Sequence, residues 1–159
     1  MRTNNQPIGI FDSGVGGLSI ASSIAKQLPF ENLIYVADSR YAPYGCSSIN
    51  VIKDRAFKIT QWLIEQDVKA IVVACNTATV NVINELRQNF EIPFIGVEPA
   101  IKPAALSSVT KNIGILTTTA TAENHRFKAL VSQYKGNTSV TIQPCPGLVE
   151  LVENGRIKT

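Results

Sequence analysis

The stretch Ile71-Val72-Val73-Ala74-Cys75-Asn76-Thr77-Ala78 decides the fold of this chain. Its apolar, β-branched half predicts a central strand of a parallel sheet, and a thiol, an amide and a hydroxyl follow that strand. Asn76 or Thr77 is expected to cap the next helix. Ligands bind at the carboxyl ends of strands in open α/β sheets, so Cys75 is placed at a candidate site beside a helix N-terminus that favours its thiolate. The alternative is a small buried hydrophobic side chain.

Composition excludes several classes of protein. The 159 residues are 45% hydrophobic and 17% charged, as in an ordinary soluble globular protein, and they suffice for one good core or for one domain with part of a second. The formal charge of +3 is scattered along the chain, and no run reaches the length of a membrane span, so neither a nucleic acid nor a membrane is an expected partner. Cys46, Cys75 and Cys145 lie far apart, which suits a reducing compartment and predicts a cytoplasmic location. Their spacing, with the single histidine His125, predicts no metal site.

Strands and helices alternate outward from the opening stretch, which predicts an α/β fold with a mainly parallel, doubly wound sheet. The predicted strands are Ile8–Phe11, Leu33–Ala37, Lys69–Ala74, Phe94–Val97, Ile113–Leu116 and Ser139–Gln143. Helices are predicted over Ile49–Glu65, over Glu123–Tyr134 and from Leu148 onward. An earlier helix is expected to present one apolar face that carries Leu18, Ala21, Ile24, Ala25 and Leu28.

A weak internal repeat indicates how the chain is divided. Ile8-Gly9-Ile10-Phe11 is echoed by Ile113-Gly114-Ile115-Leu116, 105 residues later. This repeat, with the segment around Pro99 and Pro103 as a crossover, predicts two similar α/β domains over residues 1–98 and 99–159. The counterpart of Cys75 would fall beyond residue 159, so the second domain is expected to be incomplete.

A glycine-rich turn follows the first predicted strand, in Phe11-Asp12-Ser13-Gly14-Val15-Gly16-Gly17-Leu18-Ser19. Such a turn allows close backbone approach to a ligand. A dinucleotide site, with Asp38 on a ribose, is one interpretation, but the spacing is G-x-G-G rather than G-x-G-x-x-G, and no Lys-Ser/Thr pair follows for a phosphate loop. Asp12 would repel a phosphate and suits an amino-acid ammonium group or a proton relay; capping of the helix is its structural alternative.

Together, three motifs closely resemble the glutamate racemases of the cofactor-independent aspartate/glutamate racemase superfamily. They are Asp12-Ser13-Gly14-Val15-Gly16-Gly17-Leu18, Pro43-Tyr44-Gly45 and Ala74-Cys75-Asn76-Thr77-Ala78. The resemblance continues through Phe94 to Ala100 and Gly114 to Thr121, and so covers nearly the whole chain.

The resemblance implies a two-base racemase that uses neither pyridoxal phosphate nor a metal, so no cofactor is expected. One cysteine thiolate removes the α-proton of glutamate, and a second thiol on the opposite face returns a proton. By position, Cys75 resembles the first of these cysteines, and Asp12 and Glu153 resemble the carboxylates that assist; a solvated helix glutamate is the alternative for Glu153. The positions that resemble substrate-binding residues are Ser13, Pro43, Tyr44, Gly45, Asn76, Thr77, Thr118 and Thr121.

The chain also departs from the family pattern. Family members run about a hundred residues further, and their second catalytic cysteine lies in a Cys-Thr-His motif that these 159 residues do not contain. Cys145, in Gln143-Pro144-Cys145-Pro146, does not match that motif, and neither does His125. We therefore expect a fragment or truncated product with little or no activity alone.

Three functions remain as sequence-based alternatives. The first is glutamate racemisation for peptidoglycan precursor synthesis, and aspartate or hydantoin racemases would share its fold and chemistry. The second is a truncated racemase that binds an amino acid without turnover, and the third is a nucleotide-binding domain. The resemblance alone leads us to expect a homodimer and activation by a peptidoglycan precursor.

Overall fold

The computed structural model describes residues 5–156, so both outer ends of the two predicted domains lie outside the described residues. The strands are β1 (Ile8–Asp12), β2 (Leu33–Ala37), β3 (Ala70–Val73), β4 (Phe94–Gly96), β5 (Asn112–Thr117) and β6 (Ser139–Pro144). The helices are α1 (Leu18–Gln27), α2 (Ile49–Glu65), α3 (Asn76–Asn89), α4 (Ile101–Ser107), α5 (Thr119–Glu123), α6 (His125–Tyr134) and α7 (Leu148–Glu153). The predicted alternation of strands and helices is confirmed, with boundaries shifted by one or two residues.

Every strand pair in the described residues is parallel. Four strands form one sheet in the order β2-β1-β3-β4, and β5 and β6 form a second sheet. Phe11 of β1 lies opposite Val36 of β2 and Val73 of β3. The order reverses direction between β1 and β3, which is the kind of switch point where α/β sheets bind ligands.

Helices cover both faces of the four-stranded sheet, as the doubly wound prediction requires. Phe11 and Val73 point into a core under α2 and α3. Ile10 and Val72, one residue away in each strand, point to the other face and meet Ile24 of α1. This alternation is the period of two that any strand imposes on its side chains.

The second sheet has its own apolar cluster. Ile115 and Ile142 on its inner face pack against Phe127 and Leu130 of α6. Val80 of α3 belongs to the same cluster, so a helix of the first unit contributes to the core of the second. Within the described residues, no helix combines the length and the apolarity needed to cross a membrane.

One prediction about a helix cap was wrong, and one short helix was missed. The N-cap of α3 is Cys75 rather than Asn76 or Thr77. Strand β3 ends two residues earlier, and the Cys75 sulfur accepts a hydrogen bond from the amide of Ala78. The helix predicted over Glu123–Tyr134 is α6, which begins two residues later, at His125, and the short helix α5 before it was not predicted. The Asn124 side chain accepts from two amides at the start of α6 and so begins a new helix there.

Two further details differ from the sequence prediction. The segment around Pro99 and Pro103 contains α4, and Pro103 lies in the first turn of that helix, where a missing N–H group costs nothing. The predicted apolar face of α1 is only partly buried. Ala21 and Ile24 pack on the sheet, whereas Leu18 and Leu28, at the two ends, are about half exposed.

Candidate functional site

A cavity of about 350 Å³ lies at the carboxyl ends of β1, β3 and β5. Its location is the switch point of the first sheet, extended toward the second sheet. Every predicted site residue except Cys75 lines this cavity, namely Asp12, Ser13, Pro43, Tyr44, Gly45, Asn76, Thr77, Thr118, Thr121 and Glu153. The volume suits a small molecule.

Cys75 lies behind the cavity wall rather than on it. The residue is 6% exposed, and its sulfur lies 3.5 Å from the hydroxyl of Ser13 and 3.4 Å from the amide nitrogen of Ala78. Ser13 and Asn76 line the cavity on either side of this thiol.

The electrostatic environment of Cys75 contradicts the sequence prediction. Burial and the negative charge of Asp12 raise the pKa of the thiol to about 11, against its ordinary value near 9. Hydrogen bonds from Ser13 and from the Ala78 amide, at the helix N-terminus, act in the opposite direction and are too weak to compensate. The protonated thiol is therefore the stable form at neutral pH.

Asp12 both holds the glycine turn and lines the cavity. One carboxylate oxygen accepts from the amide of Gly17 at 2.9 Å and from the amide of Gly14 at 3.3 Å, so it closes the glycine turn ahead of α1. The residue is 6% exposed and also lines the cavity. A buried carboxylate at a cavity wall attracts a cationic group of a ligand.

Glu153 reaches the same turn from α7. Its carboxylate accepts from the amide of Val15 at 2.9 Å. A Cβ atom on Gly14 would overlap that carboxylate, so this approach requires a glycine at position 14. Glu153 is thus a cavity residue with a specific contact rather than a solvated helix glutamate.

Three hydroxyl groups of cavity-lining residues converge on one another. The Oγ1 atom of Thr77 lies 3.2 Å from those of Thr118 and Thr121, which are 3.1 Å apart. Thr77 comes from the first turn of α3, whereas Thr118 and Thr121 come from the start of α5. This triangle, which we call the hydroxyl triad, can donate hydrogen bonds to a carboxylate.

The Pro43–Gly45 segment, which we call the loop wall, forms another side of the cavity. The hydroxyl of Tyr44 donates to Asp38 at 2.6 Å, and Asp38 also pairs with Arg55. Burial and Asp38 raise the pKa of Tyr44 far above its ordinary value. Because the carboxylate of Asp38 is already engaged, it is not available for a ribose, which argues against the dinucleotide interpretation.

Proteins of known identity resemble this chain in sequence. Residues 8–158 match the sequence profile of the Asp/Glu/hydantoin racemases. The chain belongs to this family. It is 45% identical over 159 residues to a glutamate racemase of Ectopseudomonas mendocina, covering 99% of this chain and 60% of that protein. It is also 45% identical to a glutamate racemase of Clostridium acetobutylicum, of which it covers 62%.

Solved glutamate racemases have the same fold. The structure from Escherichia coli, in complex with L-glutamate and the activator UDP-MurNAc-Ala, superimposes with a TM-score of 0.87 at 35% identity, over 94% of this chain and 57% of that one. The structure from Francisella tularensis, in complex with D-glutamate, gives 0.81 at 32% identity, over 99% and 59%. The chain therefore spans about 60% of the length of the curated relatives that it matches.

Sequence reasoning missed part of the cavity. Leu116, Leu148 and Val152 give it an apolar rim, and Cys145 lies beside them. Cys145 and Leu116 lie at or near the carboxyl ends of the paired strands β6 and β5, so applying the strand-end rule to the second sheet would have found them. Within residues 5–156, no group of three or more His, Cys, Asp or Glu side chains could hold a metal ion.

Proposed function

We propose that the chain forms one face of a glutamate racemase site, with Cys75 as the base that acts on D-glutamate. The observation that carries this proposal is the cavity itself. Asp12, Glu153 and the hydroxyl triad line it together, and the buried Cys75 thiol lies 3.5 Å from the hydroxyl of Ser13, which also lines it. The naming of the relatives as glutamate racemases supports the choice of substrate.

Charge complementarity orients the substrate in this proposal. The α-ammonium group lies against Asp12 and Glu153, and a carboxylate accepts hydrogen bonds from the hydroxyl triad. Pairing with the ammonium group offsets the negative charge of Asp12, which is one of the two causes of the raised pKa of Cys75. Substrate binding thus favours the thiolate at the moment when a base is needed.

The chemical step is a proton transfer from carbon to sulfur. The Cys75 thiolate takes the α-proton, and the electron pair of the C–H bond moves into the carboxylate as an enediolate. Hydroxyl groups that donate to the carboxylate stabilise this developing charge. Return of a proton to the opposite face completes the inversion and requires a second acid, which the family resemblance assigns to a Cys-Thr-His motif not found in these 159 residues.

Two measurements on the purified 159-residue chain separate exchange from inversion. We expect D-glutamate in D₂O to lose its α-proton signal in NMR spectra, and the circular dichroism at 210 nm to change slowly or not at all. Cys75→Ser should abolish the exchange, whereas Cys46→Ser, at an exposed thiol outside this cavity, should leave it intact. Exchange that survives in Cys75→Ser would refute the assignment of the base, and rapid inversion would refute the single-base account.

The burial of Cys75 favours a second candidate, amino-acid binding without turnover. In that case, titration calorimetry would detect D-glutamate binding in both the unmodified chain and Cys75→Ser, and no exchange would occur in D₂O at any pH up to 11. L-Aspartate and D-aspartate in the same titrations test the alternative substrate.

The biological setting belongs to the same proposal. D-Glutamate made by this reaction would serve peptidoglycan precursor synthesis in the cytoplasm, where the three free cysteines of the described structure would stay reduced. The activator in the Escherichia coli structure supports a test with UDP-MurNAc-Ala, and sedimentation at several concentrations tests the homodimer.

A further inference from the structure

An ion pair outside the cavity holds the loop wall in place. Asp38 is 7% exposed and accepts the Tyr44 hydroxyl at 2.6 Å. Arg55, in α2, donates to both oxygens of that carboxylate from two nitrogens, each at 2.9 Å. The guanidinium also lies 4.1 Å from the ring centroid of Tyr41, which belongs to the turn before the loop wall.

This arrangement restricts the loop wall from both sides. At one end of the loop wall, Gly45 packs so closely on Thr118 that a Cβ atom added to Gly45 would lie 2.5 Å from the Cβ of Thr118. The neighbouring residue, Tyr44, is fully buried, and its hydroxyl is fixed by the Asp38 carboxylate. A two-pronged guanidinium–carboxylate pair fixes orientation as well as distance, so the position of Tyr44 depends on Arg55.

We propose that Arg55 is a positioning residue for the loop wall. It fixes Asp38, which fixes Tyr44, and thereby sets the surface against which the substrate packs. Arg55 does not line the cavity and acts only through this relay. The inference rests on the proposed function for its substrate, but the order of the loop wall itself can be measured without any ligand.

Arg55→Lys is the informative variant, because it keeps the charge and removes the two-pronged geometry and the contact with Tyr41. Arg126→Lys is the matched control. Arg126 also pairs with a carboxylate, that of Glu98 at 2.7 Å, and with Asn84, and neither it nor its partners line the cavity.

The ligand-free readout is hydrogen exchange at the amides of Cys46 and Ser47. These amides donate to the carbonyl groups of Pro43 and Tyr44 and so report directly on the loop wall. We expect faster exchange at both in Arg55→Lys and no change there in Arg126→Lys. Unchanged exchange in Arg55→Lys overturns the proposal.

The second readout is α-proton exchange of D-glutamate in D₂O, measured over a range of concentrations. Arg55→Lys should raise KM more than it lowers kcat, and the rate at low substrate should fall by about 10- to 100-fold, the scale of a displacement of about 1 Å. A loosened loop wall with unchanged KM would overturn the positioning role. If the unmodified chain neither binds nor exchanges glutamate, the proposed function fails, and amide exchange alone decides the role of Arg55.

A second variant keeps the proposal testable if Arg55→Lys folds poorly. Tyr44→Phe retains the buried ring and removes only the hydroxyl that Asp38 holds. It should also speed amide exchange at Cys46 and Ser47 while leaving the Asp38–Arg55 pair intact. Unchanged exchange in a folded Tyr44→Phe protein would equally overturn the relay.

Discussion

At the scale of single residues, the pKa of Cys75 is the property that most affects the chemistry. Burial favours the neutral thiol, and so does the charge of Asp12, whereas the N-terminus of α3 favours the thiolate. The outcome is a pKa of about 11. The sequence allowed the residue and its helix to be identified, but it contains no information on how deep the sulfur lies, so the predicted direction of the shift was wrong.

This pKa gives a testable pH dependence. Well below the pKa, the thiolate fraction rises about tenfold per pH unit, so alkylation of Cys75 by iodoacetamide should keep rising up to about pH 11. Asp12→Asn removes a negative charge that disfavours the thiolate, so it should lower the pKa and speed alkylation at pH 9. Mass spectrometry of the Cys75 peptide measures the rate, and Asp54→Asn, at an exposed surface pair, is the control. A plateau near pH 8.5 in the unmodified chain would contradict the shift.

The same residues show what sequence could and could not establish about the site. The motifs predicted residues that lie around one cavity, because the carboxyl ends of parallel strands meet at one edge of the sheet. They did not reveal that Glu153 reaches the glycine turn from α7, since that contact depends on how the last helix packs. The catalytic roles of Cys75, Asp12 and Glu153 stay predictions until exchange and inversion are measured.

At the scale of elements, the loop wall is in close contact with Thr118, the residue that caps α5. Gly45→Ala would place a methyl group against the Thr118 side chain, so we expect the loop wall to shift and the free energy of unfolding to fall by about 1–3 kcal/mol. Gly114→Ala, in β5, is the control, because nothing lies within 4 Å of its added Cβ. That change should be neutral or stabilise by up to about 1 kcal/mol.

Urea denaturation of both variants gives the comparison. Equal stabilities for Gly45→Ala and the unmodified chain would show that the loop wall and α5 are not in contact in solution. A loss in Gly114→Ala would show that the open face of the second sheet is more crowded than the structure has it.

Element boundaries also show why sequence prediction was partial. Apolar periodicity located α2 correctly from Ile49 to Glu65, because a long amphipathic helix carries a strong signal. It did not reveal α5, which at five residues is too short to show a helical period, and it began α6 two residues early, because that start depends on one side chain, Asn124, which accepts from the amides of α6. Several polar residues near the start of a helix could each cap it, and the sequence alone does not show which one does.

At the scale of the whole molecule, α3 connects two hydrophobic clusters that sequence assigned to separate domains. Val82 is buried in the core of the four-stranded sheet, and Val80, two residues away, is buried with Phe127 and Leu130 of α6. The strands on either side of the predicted boundary near residue 98 lie in different sheets, and the second cluster includes a side chain of α3. The division into two domains stays a prediction.

This shared helix predicts that the two units differ in how they respond to core mutations. Val80→Ala should selectively weaken the second sheet, whereas Val82→Ala should weaken the larger core, each by about 1–3 kcal/mol from lost burial and a residual cavity. The two changes are chemically identical and lie in one helix, so helix propensity cancels in the comparison. The measurement is native-state hydrogen exchange at the amides of β3 and β5. We expect Val80→Ala to speed exchange in β5 and leave β3 protected, and Val82→Ala to speed exchange in both, because the second cluster is built on α3. If Val80→Ala speeds β3 as much as β5, the chain unfolds as one cooperative unit and the two-domain division is wrong.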